Sequence, residues 1–183
     1  LCLVGSEMCI RDSCIPIDPF YLTWKARAFN LNTRFIELAG EINAKMPDHV
    51  VAETAKALDL RFRKGLNGAR LLMFGLAYKK NVDDIRESPA LRLMDLFEAR
   101  GASVSFYDPY VARIPNTREH PNLNGRSGLA WDLAVFADFD AVIIATDHDD
   151  LDYPGLAKAC PLVIDTRNAC ARSGADLTRV VRA

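Results

Sequence analysis

Residues 71–168 predict an α/β fold: an open, parallel, Rossmann-like sheet with helices on both faces, preceded by a helical segment. Three observations carry this. Short strand-like segments recur at 71–74, 104–107, 141–145 and 162–165, and the first, Leu71–Phe74, is a continuous apolar run of the kind that burial on both faces of a parallel sheet produces. Stretches of helical character separate them at the lengths of right-handed βαβ units. Upstream of residue 60 the apolar residues instead follow a helical period.

Taken in order, residues 1–13 have no clear period. They lack a basic leader and a small-residue cleavage site, so they do not read as a signal peptide. With no initiator Met, the chain reads as a fragment. Pro16 and Pro19 argue against helix until Phe20. Phe20 to Phe29 then carries Tyr21, Trp24, Lys25 and Ala28 at helical spacing. A second helix from about Thr33 places Phe35, Leu38, Ala39, Ile42 and Met46 on one stripe, with Glu37, Glu41 and Lys45 turned away. This stripe reads as a packing or dimer face. Pro47 kinks or restarts the helix, and Val50, Val51, Ala55 and Leu58 continue it. Residues 60–70 form a linker.

Leu71–Phe74 is the first strand and ends at Gly75. A polar loop, Lys79 to Glu87, leads to Ser88-Pro89, an N-cap and N1 pair. The helix that follows carries Leu91, Leu93, Met94, Leu96 and Phe97, with Gly101 where a C′ glycine belongs. Val104–Tyr107 is the second strand, ending at Asp108-Pro109. A helix near 129–137, a strand over 141–145, a helix near 154–159 and a strand over 162–165 follow; residues 171–183 read as a tail. The carboxyl ends of the four strands collect Lys79, Lys80, Asp108, His148 and Arg167. Ligands of open α/β sheets bind outside that edge, and converging cations suit a phosphate.

Composition excludes several function classes. The net charge of -1 leaves no global basic field for nucleic acid or a membrane surface. No apolar run reaches the roughly 18 residues of a membrane span. Five cysteines, an odd count at irregular spacing, fit neither a disulfide framework nor a zinc pattern, and a reducing cytoplasm is the simplest setting. The three histidines are scattered, so no metal site is expected.

Gly75-Leu76-Ala77-Tyr78-Lys79 is a strand-end glycine without the G-x-G-x-x-G spacing, which argues against a dinucleotide cradle here. Asp108 reads as a turn residue before Pro109. Cys14 sits in Cys14-Ile15-Pro16-Ile17-Asp18-Pro19, a loop stiffened by two prolines around a thiol and a carboxylate. A reactive thiol needs such a fixed position and a suitable charge environment, though most cysteines are apolar filler.

The segment from Cys14 to Ala26 closely resembles the active-site segment of the UDP-glucose/GDP-mannose dehydrogenase family. Gly75-Leu76-Ala77-Tyr78-Lys79-Lys80-Asn81-Val82-Asp83-Asp84-Ile85-Arg86-Glu87-Ser88-Pro89 resembles that family's C-terminal signature. Tyr107-Asp108-Pro109 and Asp165-Thr166-Arg167-Asn168 are similar to two further blocks, in the family's order. Ile15-Pro16-Ile17-Asp18-Pro19, with the run Phe35 to Asn43, most resembles the UDP-N-acetylglucosamine 6-dehydrogenase branch. UDP-glucose enzymes usually carry Lys where Ile17 stands.

The resemblance implies oxidation of the sugar C6 alcohol to a carboxylate with two NAD, through a cysteine thiohemiacetal and thioester. By position, Cys14 is the implied nucleophile, and Asp18 assists proton transfer and hydrolysis. Tyr78, Lys79 and Arg167 are implied substrate contacts, and Arg86 is implied to reach the NAD pyrophosphate. Each has a plainer reading: Lys79 and Lys80 as solvated charges, Arg86 paired with Glu87 or Asp83, Asp18 as a helix cap. The implied organisation is a foreign leader, non-native or disordered, over 1–13; the cysteine loop and helices of a central dimerisation region over 14–59; a linker; and a UDP-sugar-binding domain over 71–170. The glycine-rich run expected before the cysteine is missing. The main NAD-binding domain is expected upstream, so the fragment is expected to be inactive alone. A UDP-sugar substrate and a homo-oligomer are the implied partners, without nucleic acid or membrane. A UDP-glucose or other UDP-hexose enzyme, or a non-catalytic nucleotide-binding module, are the alternatives.

Overall fold

The structure, a computed structural model, describes residues 15–86 and 88–183, residues 15–18 through their backbone alone. Cys14 and the leader expected over 1–13 lie outside the described residues. The described residues divide into two compact units, one ending at Met46 and one beginning at Pro47.

In the first unit, helix α1 (Ile15–Arg27) begins earlier than the prolines led us to expect and contains Pro19. The physical reason is position. The first four N–H groups of a helix have no partner within it, so Pro16 forfeits nothing, and Pro19 gives up only the bond to the first carbonyl. Helix α2 (Arg34–Phe62) packs against α1 closely enough that a Cβ on Gly40 would stand 2.5 Å from the Phe20 ring. The Thr33 hydroxyl donates to Thr23 Oγ1 at 3.1 Å, and Arg27 pairs with Glu37 at 3.0 Å. The stripe of Phe35, Leu38, Ala39, Ile42 and Met46 is exposed in this chain, Phe35 to 89 %. Pro47 does not interrupt α2, which runs on to Phe62 and so into the expected linker.

The second unit is a five-stranded, wholly parallel sheet: β1 (Arg70–Phe74), β2 (Ser103–Tyr107), β3 (Ala141–Ile144), β4 (Val163–Asp165) and β5 (Val180–Arg182), in the order β2-β1-β3-β4-β5. Successive residues point to opposite faces, and both faces are covered, which is why Leu71–Phe74 and Ala141–Ile144 of the central strands are continuously apolar, whereas the edge strand β2 keeps a half-buried Ser105. Leu71, Met73, Ile143 and Ile164 face one core, built with Val51 and Leu58 of α2 and with Leu91, Met94 and Phe97 of α3 (Pro89–Ala99). Leu72, Phe74, Val142 and Val163 face the other, with Phe136 of α4 (Leu133–Ala137), Leu156 of α5 (Tyr153–Ala159) and Cys170 of α6 (Ala169–Arg172).

Helix α3 starts and stops where the sequence predicts. The Ser88 hydroxyl accepts from the Ala90 N–H at 3.3 Å, Pro89 takes the first position, and Gly101 leaves the helix at φ +84°. Helix α4 is shorter than expected because Asp132, accepting from Ala134 N–H at 2.8 Å, sets its start. The tail expected over 171–183 is not one: Val180–Arg182 pairs in register with β4 and extends the sheet.

Candidate functional site

The strand order reverses between β1 and β3. From β1 the chain passes to β2 on one side, and it later returns to β3 on the other. A crevice at the carboxyl ends of such strands is the ligand position of doubly wound sheets. The loops entering it here are 75–88 from β1, 108–120 from β2, 145–152 from β3 and 166–168 from β4. Lys79, Lys80, Asp108, His148 and Arg167 all lie on these loops, so the sequence-predicted cluster shares one edge.

Their surroundings differ sharply. Asp108 and His148 are buried and turned toward each other. Asp108 Oδ2 accepts from the backbone N–H groups of Leu76 at 2.6 Å and Ala77 at 3.0 Å, and from His148 Nε2 at 3.1 Å. Its Oδ1 accepts from Tyr110 and Val111 N–H at 2.8 and 3.0 Å. Burial alone would raise this carboxyl. The hydrogen bonds from His148 and the backbone of Ala77, Tyr110 and Leu76 outweigh it and hold the group below its ordinary value. The turn role expected of Asp108 is thus only half of its bonding.

The second nitrogen of His148, Nδ1, accepts the Asn81 N–H at 2.9 Å. That places the ring proton on Nε2, facing Asp108. The Tyr110 ring lies 5.0 Å from the imidazole, centre to centre. Asn81 holds a left-handed backbone (φ +64°), and its side chain exchanges two hydrogen bonds with Asp149, at 2.6 and 3.0 Å. Lys80 pairs with the same carboxylate at 2.8 Å and holds it, with Asn81, below its ordinary range.

Gly75 allows the first and third loops to approach. It has φ +83°, and a Cβ there would stand 2.5 Å from the Thr146 carbonyl oxygen. The Thr146 hydroxyl donates to the Ala77 carbonyl, and Thr166 Oγ1 donates to Ile144 O at 2.8 Å. Arg167 Nε donates to Ala145 O at 3.0 Å and stands 3.7 Å from Asp147 Oδ1; Arg172 pairs with the other oxygen of Asp147. Asp165 ties the backbone of Arg167, Ala169 and Cys170 to the end of β4.

Of the remaining expected site residues, Tyr78 and Lys79 are half-buried on the β1 loop. The Asp18 backbone lies within α1. Arg86 is exposed and pairs with Asp84 through two nitrogens, at 2.7 and 2.9 Å, rather than with Asp83. Asn81, Thr146, Asp147 and Arg172 were not singled out from sequence. Only Asn81 carried a usable signal, since asparagine tolerates a left-handed turn.

A dinucleotide cradle is not built among these residues. The β1 exit has one turn glycine, and thirteen residues separate it from α3, so no helix N-terminus meets the strand end.

The model of the UDP-glucose/GDP-mannose dehydrogenase family, UDP binding domain, matches residues 72–172. The chain is 30 % identical over 172 residues to a UDP-N-acetyl-D-mannosamine dehydrogenase of Methanococcus maripaludis, covering 90 % of this chain and 36 % of that protein. It is 32 % identical to a UDP-N-acetyl-D-glucosamine 6-dehydrogenase of Pseudomonas aeruginosa, covering 92 % and 40 %. It is 34 % identical to a UDP-glucose 6-dehydrogenase of Haloferax volcanii, covering 92 % and 38 %. The solved NDP-N-acetyl-D-galactosaminuronic acid dehydrogenase of Methanosarcina mazei superposes with a TM-score of 0.73 at 26 % identity, over 93 % of this chain and 37 % of that one. The chain therefore spans well under half the length of these relatives, and it belongs to the UDP-glucose/GDP-mannose dehydrogenase family, its match falling on the UDP binding domain.

Proposed function

We propose that this chain is the nucleotide-sugar-binding part of an NAD-dependent UDP-sugar 6-dehydrogenase, with UDP-N-acetylglucosamine as the substrate. The observation that carries the reading is the placement of the Tyr78–Lys80 loop and the Arg167 loop at one carboxyl edge, on either side of the β1/β3 reversal. Lys79 and Arg167 supply charge for the diphosphate; a guanidinium can take two of its oxygens at once, and Tyr78 adds a hydroxyl. The sugar assignment rests on the Ile15-Pro16-Ile17-Asp18-Pro19 wording, and relatives acting on three different UDP-sugars set the alternatives.

In this reading Cys14 adds to the C6 aldehyde as a thiolate, giving a thiohemiacetal that stays bound until the next oxidation. Asp18 takes the proton from the water that hydrolyses the resulting thioester. The oxidation calls for two NAD as hydride acceptors. The described residues offer no dinucleotide cradle, and Arg86 is their one proposed contact to it. The exposed Phe35–Met46 stripe supports a second copy as partner, and the free thiols Cys160 and Cys170 support a reducing, cytoplasmic setting. No helix among the described residues is long and apolar enough to cross a membrane.

Two measurements test this. Calorimetry on the chain with UDP should show one site per chain. Joining residues 14–183 to the remaining part of a relative should give NADH production with UDP-N-acetylglucosamine ahead of UDP-glucose. Loss of uronic acid formation is expected from Cys14→Ser in that fusion; undiminished acid formation refutes the covalent step. UDP binding without any turnover of a folded fusion points to a non-catalytic nucleotide module instead.

A further inference from the structure

We propose that His148 is a positioning residue for the Tyr78–Lys80 loop, acting through its Nδ1 on the backbone of Asn81. The role rests on reading that loop as the nucleotide-binding segment.

His148 is 1 % exposed, so both nitrogens need partners within the protein. Nε2 donates to Asp108, whose carboxylate is already fixed by four backbone N–H groups of the β1 and β2 exits. Nδ1 instead accepts from Asn81, beyond the lysines. One nitrogen therefore grips the frame and the other grips the loop. The Tyr110 ring packs against the imidazole and limits its tilt.

The loop is consequently held at both ends. Leu76 and Ala77 are fixed to Asp108 and Thr146 at its start, and Asn81 is fixed to His148 and Asp149 at its end. Tyr78, Lys79 and Lys80 are strung between these anchors, with Tyr78 N–H donating to Asp84 O at 2.7 Å. Holding a phosphate-binding lysine on a fixed backbone lowers the ordering cost at binding, so the clasp should appear in affinity beyond any effect on folding. His148 also reaches from the β3 exit to the β1 exit, across the place where the strand order reverses.

Two substitutions separate the halves of this bonding. His148→Asn keeps an oxygen near the Nδ1 position, able to accept from Asn81, and loses the bond to Asp108. His148→Gln keeps an amide donor toward Asp108 and loses the acceptor for Asn81. Calorimetry with UDP, thermal unfolding and amide exchange at Asn81 are measured for each. Positioning predicts that H148Q weakens UDP binding about tenfold or more, and speeds exchange at Asn81 but not at Leu72 or Phe74. H148N should stay within about threefold of wild type in affinity, even with a lower unfolding temperature. A measurement on the unaltered chain guards against a variant that does not fold: saturating UDP should slow exchange at Asn81 further. Affinity that merely tracks stability in both variants, H148Q binding UDP as tightly as wild type, or no change at Asn81 on adding UDP each overturns the proposal. A wild-type chain that does not bind UDP at all overturns the reading of the edge, and the positioning role with it.

Discussion

Gly75 and Thr146 approach so closely that a methyl group on the first would stand 2.5 Å from the carbonyl oxygen of the second. No L side chain fits there comfortably, because φ at Gly75 is +83° as well. Gly75→Ala should therefore destabilise the sheet unit by about 2–4 kcal/mol, read from urea unfolding. A loss below about 0.5 kcal/mol would show that the two loop exits can part freely.

Asp108 holds five donors, so its neutral amide equivalent is a severe test. In Asp108→Asn the amide nitrogen must face either the Leu76, Ala77 and His148 donors or those of Tyr110 and Val111. Removing the charge and orphaning buried donors should cost about 2–5 kcal/mol in urea unfolding. The pH dependence has a defined sign. The carboxyl lies below its ordinary value of 3.8 in the folded chain, so its contribution is complete above that value and is lost as pH falls through the depressed one. Acid unfolding of the wild type should accordingly steepen below about pH 4, and the variant's curve should be flatter there. Parallel curves would contradict the assignment.

Arg167 should matter for ligand more than for folding. Its side chain is 41 % exposed and spans Ala145 O and Asp147, a geometry an ammonium cannot reproduce. Arg167→Lys should weaken UDP binding about tenfold, with the unfolding temperature nearly unchanged. Equal affinity in calorimetry would remove Arg167 from the site.

Cys160 and Cys170 should be inert in the native chain. Burial pushes the Cys160 thiol up to about 11, and burial with the nearby Asp165 charge pushes Cys170 up to about 12. Thiolate is the reactive form, so peptide mapping after iodoacetamide at pH 8 should find both unlabelled when folded, and labelled at least about a hundredfold faster in urea. Comparable labelling in both states would mean that the second core opens readily.

Much of this architecture was legible from residues alone, for reasons specific to each element. Leu71–Phe74 and Ala141–Ile144 announce themselves because burial on both faces leaves no polar position. Helix α3 is bracketed by Ser88-Pro89 and Gly101, whose chemistry is local. Val180–Arg182 was not legible: three residues with one charge are too few to show a period, and their strand exists only because β4 offers an edge. Pro19 misled because a proline's cost depends on which turn it occupies. At the site, sequence could collect Asp108, His148, Lys79 and Arg167 at one edge. It could not reveal that the first two turn inward on each other, since Leu76 and Asp108 meet only after two strands align.

Every pairing in the sheet is parallel, and this has a kinetic consequence. The strands contain no hairpin, so none can zip up from a turn. Even the shortest-range partnership joins Val163 to Val180, and the central one joins Leu71 to Ala141. The chain must close long loops before those contacts stabilise anything, which predicts slow assembly and a window in which half-built edges are open to other chains. Refolding yield should fall as protein concentration rises, and cooler, slower synthesis should favour recovery of the native sheet.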